Sequence, residues 1–477
     1  DSLIQFNDAI TATSVTLNDG LGDASITINA TNGAQTIAGT FDGAASGEGT
    51  LNVSDDDAGE EHLITFSGIV GGTQRLKAIN IGTGVLSGAA DFDADVTVST
   101  LTILGGDANT EDALLTNATL QTLDATTMVV TADDGDAIAT LGGDLAIGSG
   151  GLDINGGSAE ASAKVTVAEE SLTLSSGAVT IDGGVALATG GTNGGTAELE
   201  TTLAVSATGA FTVTGGNGAL TSGAGVGGAA TLDTDAAFTT TKLVTFAGGA
   251  GGAGTTDTST GGAATGEFAT TIDVLGLVLN GGAGGAGAVS VGGAATATVT
   301  TTSTIGASGI SMTAGSGGAY AGAAVGGAST LILTGASTIT GDISITGGAG
   351  VADNAADGGA ASATFTGAVT ATAQTLSITG GTGSVTGDGD GGAASATLAA
   401  TSTFSGIVLD DGLTTASQGT GGAATLTLTS TLDQTITGAV TAAADGEGAI
   451  VVATGVDDKI TTFASNIGTS AVRLKTL

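Results

Sequence analysis

The chain contains no proline, no cysteine and no tryptophan, and its 477 residues include one tyrosine, one histidine and seven basic side chains. Aromatics make up 3% of it, so a large globular core would lack the bulky side chains that usually fill one. The absence of cysteine fits a protein that crosses membranes unfolded. A single histidine, His62, leaves no recurring Ser-His-Asp arrangement and no histidine-based metal site. Seven bases against 46 acids give a formal charge of −39. That balance excludes nucleic acid as a natural partner, because phosphate binding needs clustered Lys and Arg. The self-repulsion calls for screening by salt or bound cations. No apolar run reaches the length of a bilayer span. No signal peptide is visible and the first residue is Asp1 rather than Met, which reads as a processed or excerpted sequence.

What is present is 88 glycines and an apolar content of 41% built from Ala, Val, Leu and Ile interleaved with Thr. Charged residues amount to 11%, which argues against simple disorder. Small and β-branched residues suit thin, closely stacked sheets.

A repeat organises them. Pairs of apolar residues separated by one position precede Gly-rich turns at Phe211/Val213, Val244/Phe246, Leu277/Leu279, Ile310/Met312, Ile343/Ile345 and Leu376/Ile378, in five steps of 33 residues. Val179/Ile181 and Ile407/Leu409 extend the series by steps of 32 and 31. A second landmark, Gly-Gly followed by two small residues, starts at Gly156, Gly194, Gly227, Gly261, Gly292, Gly326, Gly358, Gly391 and Gly421 with more variable spacing. Length variation is thus absorbed in the linkers while the strands keep register.

Within one repeat, Ala328–Thr334, Ser337–Thr340 and Asp342–Thr346 read as short strands, with Ile343 and Ile345 inward and Ser344 outward. The expected fold is all-β: an elongated β-solenoid (β-helix) of roughly 33-residue repeats. If each repeat is one coil, about 14 coils make a rod on the order of 70 Å long. Tandem immunoglobulin-like sandwiches need about 100 residues per repeat and a bulky core, and neither is found. Runs such as Gly281–Gly287 read as flexible loops, with packed polyproline-II-like segments as the alternative.

Three regions are expected: an N-terminal β module over 1–150, the repeat array over 151–430 and a C-terminal module over 431–477. Residues 35–79 and 434–477 resemble each other. Both open with Gln-Thr-Ile, carry Gly-Glu-Gly, an acidic turn and an Ile-Thr-Phe or Ile-Thr-Thr-Phe strand, and finish in Arg-Leu-Lys. The first copy runs on into further strands, and the start of the chain looks like the continuation missing after the second. This pattern predicts either head-to-tail self-association or an excerpt from a longer repetitive protein. The candidate interface residues are Arg75, Lys77, Arg473, Lys475 and Leu477, the cations either pairing with acids across a junction or standing as ordinary solvated charges.

Calcium is the candidate cofactor, because Asp-rich turns beside free carbonyls supply its oxygen ligands. The candidate positions are Asp55, Asp56, Asp57, Asp133, Asp134, Asp136, Asp388 and Asp390, although no EF-hand loop or calcium β-roll nonapeptide is present. Asp is equally a plain turn residue. Catalysis has little to work with: carboxylate pairs cleave glycosidic bonds in grooves lined with aromatics and Arg, yet Tyr320 is isolated and Arg75 and Arg473 are the only arginines. The expectation is a non-enzyme. The Gly-Gly-Ala-Gly runs are not phosphate loops, since no Lys follows. Thr296–Thr304 and Thr239–Thr241 resemble the Thr-x-Thr rows by which flat solenoids bind ice, but in the sequence the motif does not recur on one fixed face.

Thr-rich strands alternating with Gly-Gly turns, as in GGAASATLAATSTFSGIVLDDG, resemble bacterial β-strand-repeat surface proteins: autotransporter-type passengers, large adhesins and S-layer or sheath proteins. The resemblance spans about 150–450 and rests on composition and period. It implies secretion, an elongated β-solenoid and a role in adhesion or surface structure; a Gram-negative cell is the setting that the lack of cysteine fits. The expected function is a structural subunit of an extracellular filament, sheath or surface layer that pairs with itself head to tail. The alternative is an adhesin shaft with a cell-surface glycan as partner. A polysaccharide-active or ice-binding β-helix is a distant third.

Overall fold

The computed structural model describes the chain apart from residues 1, 8–9, 21–22, 31–32, 56–61, 84, 107–111, 118–121, 133–135, 142–143, 158–162, 168–171, 175–176, 185–192, 203, 219–224, 253–257, 286–288, 319–322, 351–355, 385–388, 413–421, 443–447, 454–458, 470–473 and 477. Every element among the described residues is a strand, and the pairing is parallel throughout, which makes this a β-solenoid. No helix long and apolar enough to cross a membrane occurs among the described residues. The chain divides into two compact units. One is Asp1–Val185 with Gly195–Thr212 and Asp233–Ala236; the other is Ala186–Gly194 with Val213–Leu232 and Ala237–Leu477.

In the second unit the counted repeat is the coil. Val244 pairs with Leu277, Leu277 with Ile310, Ile310 with Ile343, Ile343 with Leu376 and Leu376 with Ile407, so the residues spaced by about 33 in sequence stack directly on one another. One coil consists of Ser329–Leu333 on one sheet, then Ser337–Ile339 and Ile343–Thr346 on the other. Alternation does the sorting: Ile343 and Ile345 are buried and Ser344 is exposed. Three coils carry a short additional strand ahead of such a set, and these strands, Thr258–Thr260, Val289–Val291 and Ala323–Val325, pair in a small third sheet.

The first unit uses the same principle with shorter coils. Its central ladder runs Ile4, Ile26, Leu51, Ile79, Leu101, Met128, Leu152 and Val179, with steps of 22 to 28 residues. The segment 1–150 therefore winds as a solenoid itself, with the Gly-rich linkers of the later repeats left out. Aromatics stack from coil to coil on the opposite sheet: Phe41 and Phe66 meet edge to face at 5.7 Å, and Phe66 stacks on Phe92 at 5.0 Å.

The Gly-rich runs are not loose loops, and here the structure corrects the sequence reading. In the segment 281–285 the N–H groups of Gly281 and Gly284 donate to Thr313 and Ser316 of the next coil, at 2.8 and 2.7 Å. Gly282 and Gly285 donate instead to Gly262 and to the Ser259 hydroxyl, while Ala283 is exposed. A three-residue period with every bond leaving the segment is the pattern of packed polyproline-II chains.

These runs form two columns that stitch each coil to the next. Gly315 donates to Gly293, Gly327 to Gly315, Gly348 to Gly327, Gly359 to Gly348, Gly381 to Gly359 and Gly392 to Gly381, at 2.7 to 3.0 Å. Glycine is required because the columns touch backbone to backbone: a Cβ on Gly348 would fall inside the Gly315 carbonyl group.

Candidate assembly surfaces

The two similar modules share backbone geometry as well as sequence. In the first, Phe41 bridges Val70, and Gly71, at φ 73°, donates its N–H to Phe41. In the second, Val440 bridges Ile467, and Gly468, at φ 71°, donates to Val440. The Gly of each Gly-Glu-Gly motif also matches, Gly49 at φ 79° and Gly448 at φ 78°. Left-handed φ of this kind is strained for any residue with a Cβ, so the repeated glycines mark a repeated turn. The opening glutamines are both buried; Gln35 Nε2 donates to Asn29 O at 2.9 Å and Gln434 Nε2 to Thr461 Oγ1 at 3.1 Å.

What differs is the cover. In the first module Phe66 lies against Phe92, Val70 bridges Val96, and Val53 pairs with Ile81; all three are fully buried. In the second, the matching Phe463 is partly exposed, Ile467 is 38% exposed and Val452 is 51% exposed. At the N-terminal side of the first unit, Ser2–Phe6 pairs on one edge with Ala24–Asn29, and Leu3 and Ile4 are 66% and 55% exposed. Both places present unpaired parallel strand edges with apolar side chains among the described residues. Backbone groups of this kind are templates for further pairing.

The candidate interface cations are engaged within the first unit. Arg75 reaches up two coils: its guanidinium donates to Val98 O at 2.9 Å and Thr126 Oγ1 at 2.7 Å, and pairs with Asp124 at 2.9 Å. Lys77 reaches down instead, to Asp23 at 2.6 Å. The lysine's hydrogen bond holds the Asp23 carboxyl below its ordinary range, and the same contact raises Lys77. Of the corresponding residues in the second module, Lys475 donates its main-chain N–H to Gly448 O at 2.9 Å, while Arg473 and Leu477 lie outside the described residues. Replacing Arg75 by Met is expected to cost about 1–3 kcal/mol, because two main-coil acceptors lose a charged donor. A urea melt of the full chain measures it, and an unchanged midpoint would show that the clamp is idle.

The acidic residues have a main-chain role that the sequence reading missed. Asp42, Asp95, Asp342 and Asp433 each accept an N–H from the following coil, at Thr73, Thr122, Thr375 and Ile460, at 2.9 to 3.0 Å. A carboxylate at a coil corner is a strong acceptor for such a group.

Of the calcium candidates, Asp55 is buried and accepts from His62 through both its ring Nδ1, at 2.9 Å, and its main-chain N–H, at 2.7 Å. Asp136 donates its N–H to Asp112 Oδ1 at 2.8 Å and Asp390 to Asp357 Oδ1 at 3.0 Å. Asp56, Asp57, Asp133, Asp134 and Asp388 lie outside the described residues, as does Tyr320. Among the described residues no three His, Cys, Asp or Glu side chains gather as a metal-holding group. No family model, curated protein or solved structure matches the chain.

Proposed function

We propose that the chain is a structural subunit of an extracellular filament, sheath or surface layer that lengthens by parallel pairing of solenoid edges, head to tail. The observation that carries this reading is the uncovered second module. It repeats the geometry of the first, but Val452 and Ile467 are exposed where Val53 and Val70 of the first module are buried beneath a further coil. Leu3 and Ile4 offer an apolar edge on the first strand of the first unit. Stacking one on the other buries both apolar sets and satisfies the main-chain groups of the edge strands. Contacts of this heterologous kind do not close, so they propagate. The acidic, cysteine-free composition supports a place outside the cell, where salt and divalent cations screen a charge of −39.

Negative-stain electron microscopy and sedimentation of the full chain test it, with calcium and after chelation. Uniform fibres are expected from the parent chain, and dispersed particles from the double variant Val452→Lys/Ile467→Lys. Fibres that dissolve on chelation add calcium as a bridging ion. Dispersed particles of the parent chain in every condition would overturn the proposal and leave the adhesin-shaft reading in its place.

A further inference from the structure

The outer face of one sheet in the second unit is an uncharged grid of hydroxyls. The strands Ala295–Val299, Ser329–Leu333, Ala361–Phe365, Ala394–Leu398 and Ala424–Leu428 pair in succession with no shift of register. Their outward positions align in two columns, Thr296–Thr330–Ser362–Ser395–Thr425 and Thr298–Ile332–Thr364–Thr397–Thr427. All ten are half-exposed, and the residues between them in each strand (Ala297, Leu331, Ala363, Ala396 and Leu426) are buried. Nine of the ten are Thr or Ser and none is charged, in a chain with 46 acids. The grid is bounded where Glu267 pairs with Thr298 on the preceding strand. Strict Thr-x-Thr occupies the outward positions of two of these five strands, as the sequence reading has it, and what aligns on the fixed face is a mixed Thr/Ser set. Coil lengths of 30 to 34 residues hide the alignment that the pairing reveals.

We infer that this face adsorbs to ice. Its spacing is fixed by the fold in both directions, about 4.8 Å between coils and about 6.6 Å between alternate residues of a strand. Threonine is stiff at χ1, so these side chains lose little freedom on contact. Ser362 Oγ bonds Thr330 Oγ1 within the face at 3.3 Å, and a partner that displaces water must meet the hydrogen-bonding capacity the exposed hydroxyls retain, which a dry apolar surface cannot do. A charged surface finds nothing to pair with. A crystalline glycan favours aromatic platforms, and the ten positions include none. A neutral lattice of water, periodic in two directions and offering donors and acceptors throughout, meets all of these demands.

The test is partition of the full chain into slowly grown ice, performed in the Val452→Lys/Ile467→Lys background so that fibres do not sediment into the ice fraction. Enrichment of at least tenfold over a non-binding protein of similar size is expected. Thr364→Tyr/Thr397→Tyr should abolish it, whereas Thr338→Tyr/Thr370→Tyr, on an exposed column of the other sheet, should not. Circular dichroism confirms that both pairs fold. If the first pair does not, Ile332→Thr completes the grid and should raise enrichment instead. The inference is overturned if the unmodified face shows no enrichment, if both tyrosine pairs act alike, if Ile332→Thr changes nothing, or if the grid variants alter only self-association.

Discussion

Gly348→Ala is expected to unfold the C-terminal unit, whereas Ala349→Ser, one residue further on, leaves its melting midpoint unchanged. Gly348 donates to Gly327 O at 2.9 Å and accepts from Gly359 at 2.7 Å, so it holds two links of the stitched columns. The space a methyl group would occupy is filled by the Gly315 carbonyl and the Gly327 nitrogen. Both are backbone, and neither can rotate away as a side chain does. Overpacking of this kind costs about 3 kcal/mol or more, and the displaced hydrogen bonds add about 1 kcal/mol each. Because stacked repeats contact only their neighbours, the damage passes to the coils on either side. The control is chosen from the same column: Ala283, Ser316, Ala349 and Thr382 occupy equivalent outward positions, so the site already tolerates hydroxyls. Thermal circular dichroism with limited proteolysis separates the two variants. A Gly348→Ala midpoint equal to that of Ala349→Ser would return these runs to the status of flexible loops.

The same contrast shows what is legible in a sequence of this type. Apolar side chains carry their own signal, because Val244, Leu277, Ile310, Ile343 and Leu376 must each face inward and the period of the coil spaces them evenly. The strand limits around Ser337 and Ile343 follow from alternation and were readable to within one or two residues. Glycine carries no such signal. Taken alone, Gly281–Gly285 is indistinguishable from a flexible linker, and its order comes from acceptors contributed by residues 20 to 32 positions away. The hydroxyl grid was hidden for a related reason: Thr330 and Ser362 become neighbours only once the register is known.

The acids illustrate a third limit. Asp342 looks like a turn residue or a cation ligand, and its acceptor role towards Thr375 depends on a coil that has not yet been placed. The duplicated modules were legible as sequence, down to the Gly-Glu-Gly motif. That one is roofed and the other open emerged from the exposure of Ile467 against the burial of Val70.

Ile345→Asp should abolish folding of the same unit through the core rather than the glycine columns. Ile345 is fully buried and pairs with Met312 below and Ile378 above, both also buried, so a carboxylate there has no partner of either charge or hydrogen bond along the ladder. Burying an unpaired charge lies among the few mechanisms that exceed about 4 kcal/mol for a single substitution. Two companions divide that effect. Ile345→Val removes one methylene and should cost about 0.5–1.5 kcal/mol. Ser344→Asp adds the same carboxylate on the exposed side of the strand, between Ser311 and Ser377, and should stay within about 0.5 kcal/mol of the parent. Denaturant melts followed by β-sheet circular dichroism rank the three. If Ile345→Asp melts like the parent while Ser344→Asp collapses, the strand faces the other way. Side chains alternate sides, so that result would slip its register by one residue and carry every rung from Val244 to Ile407 to the opposite face.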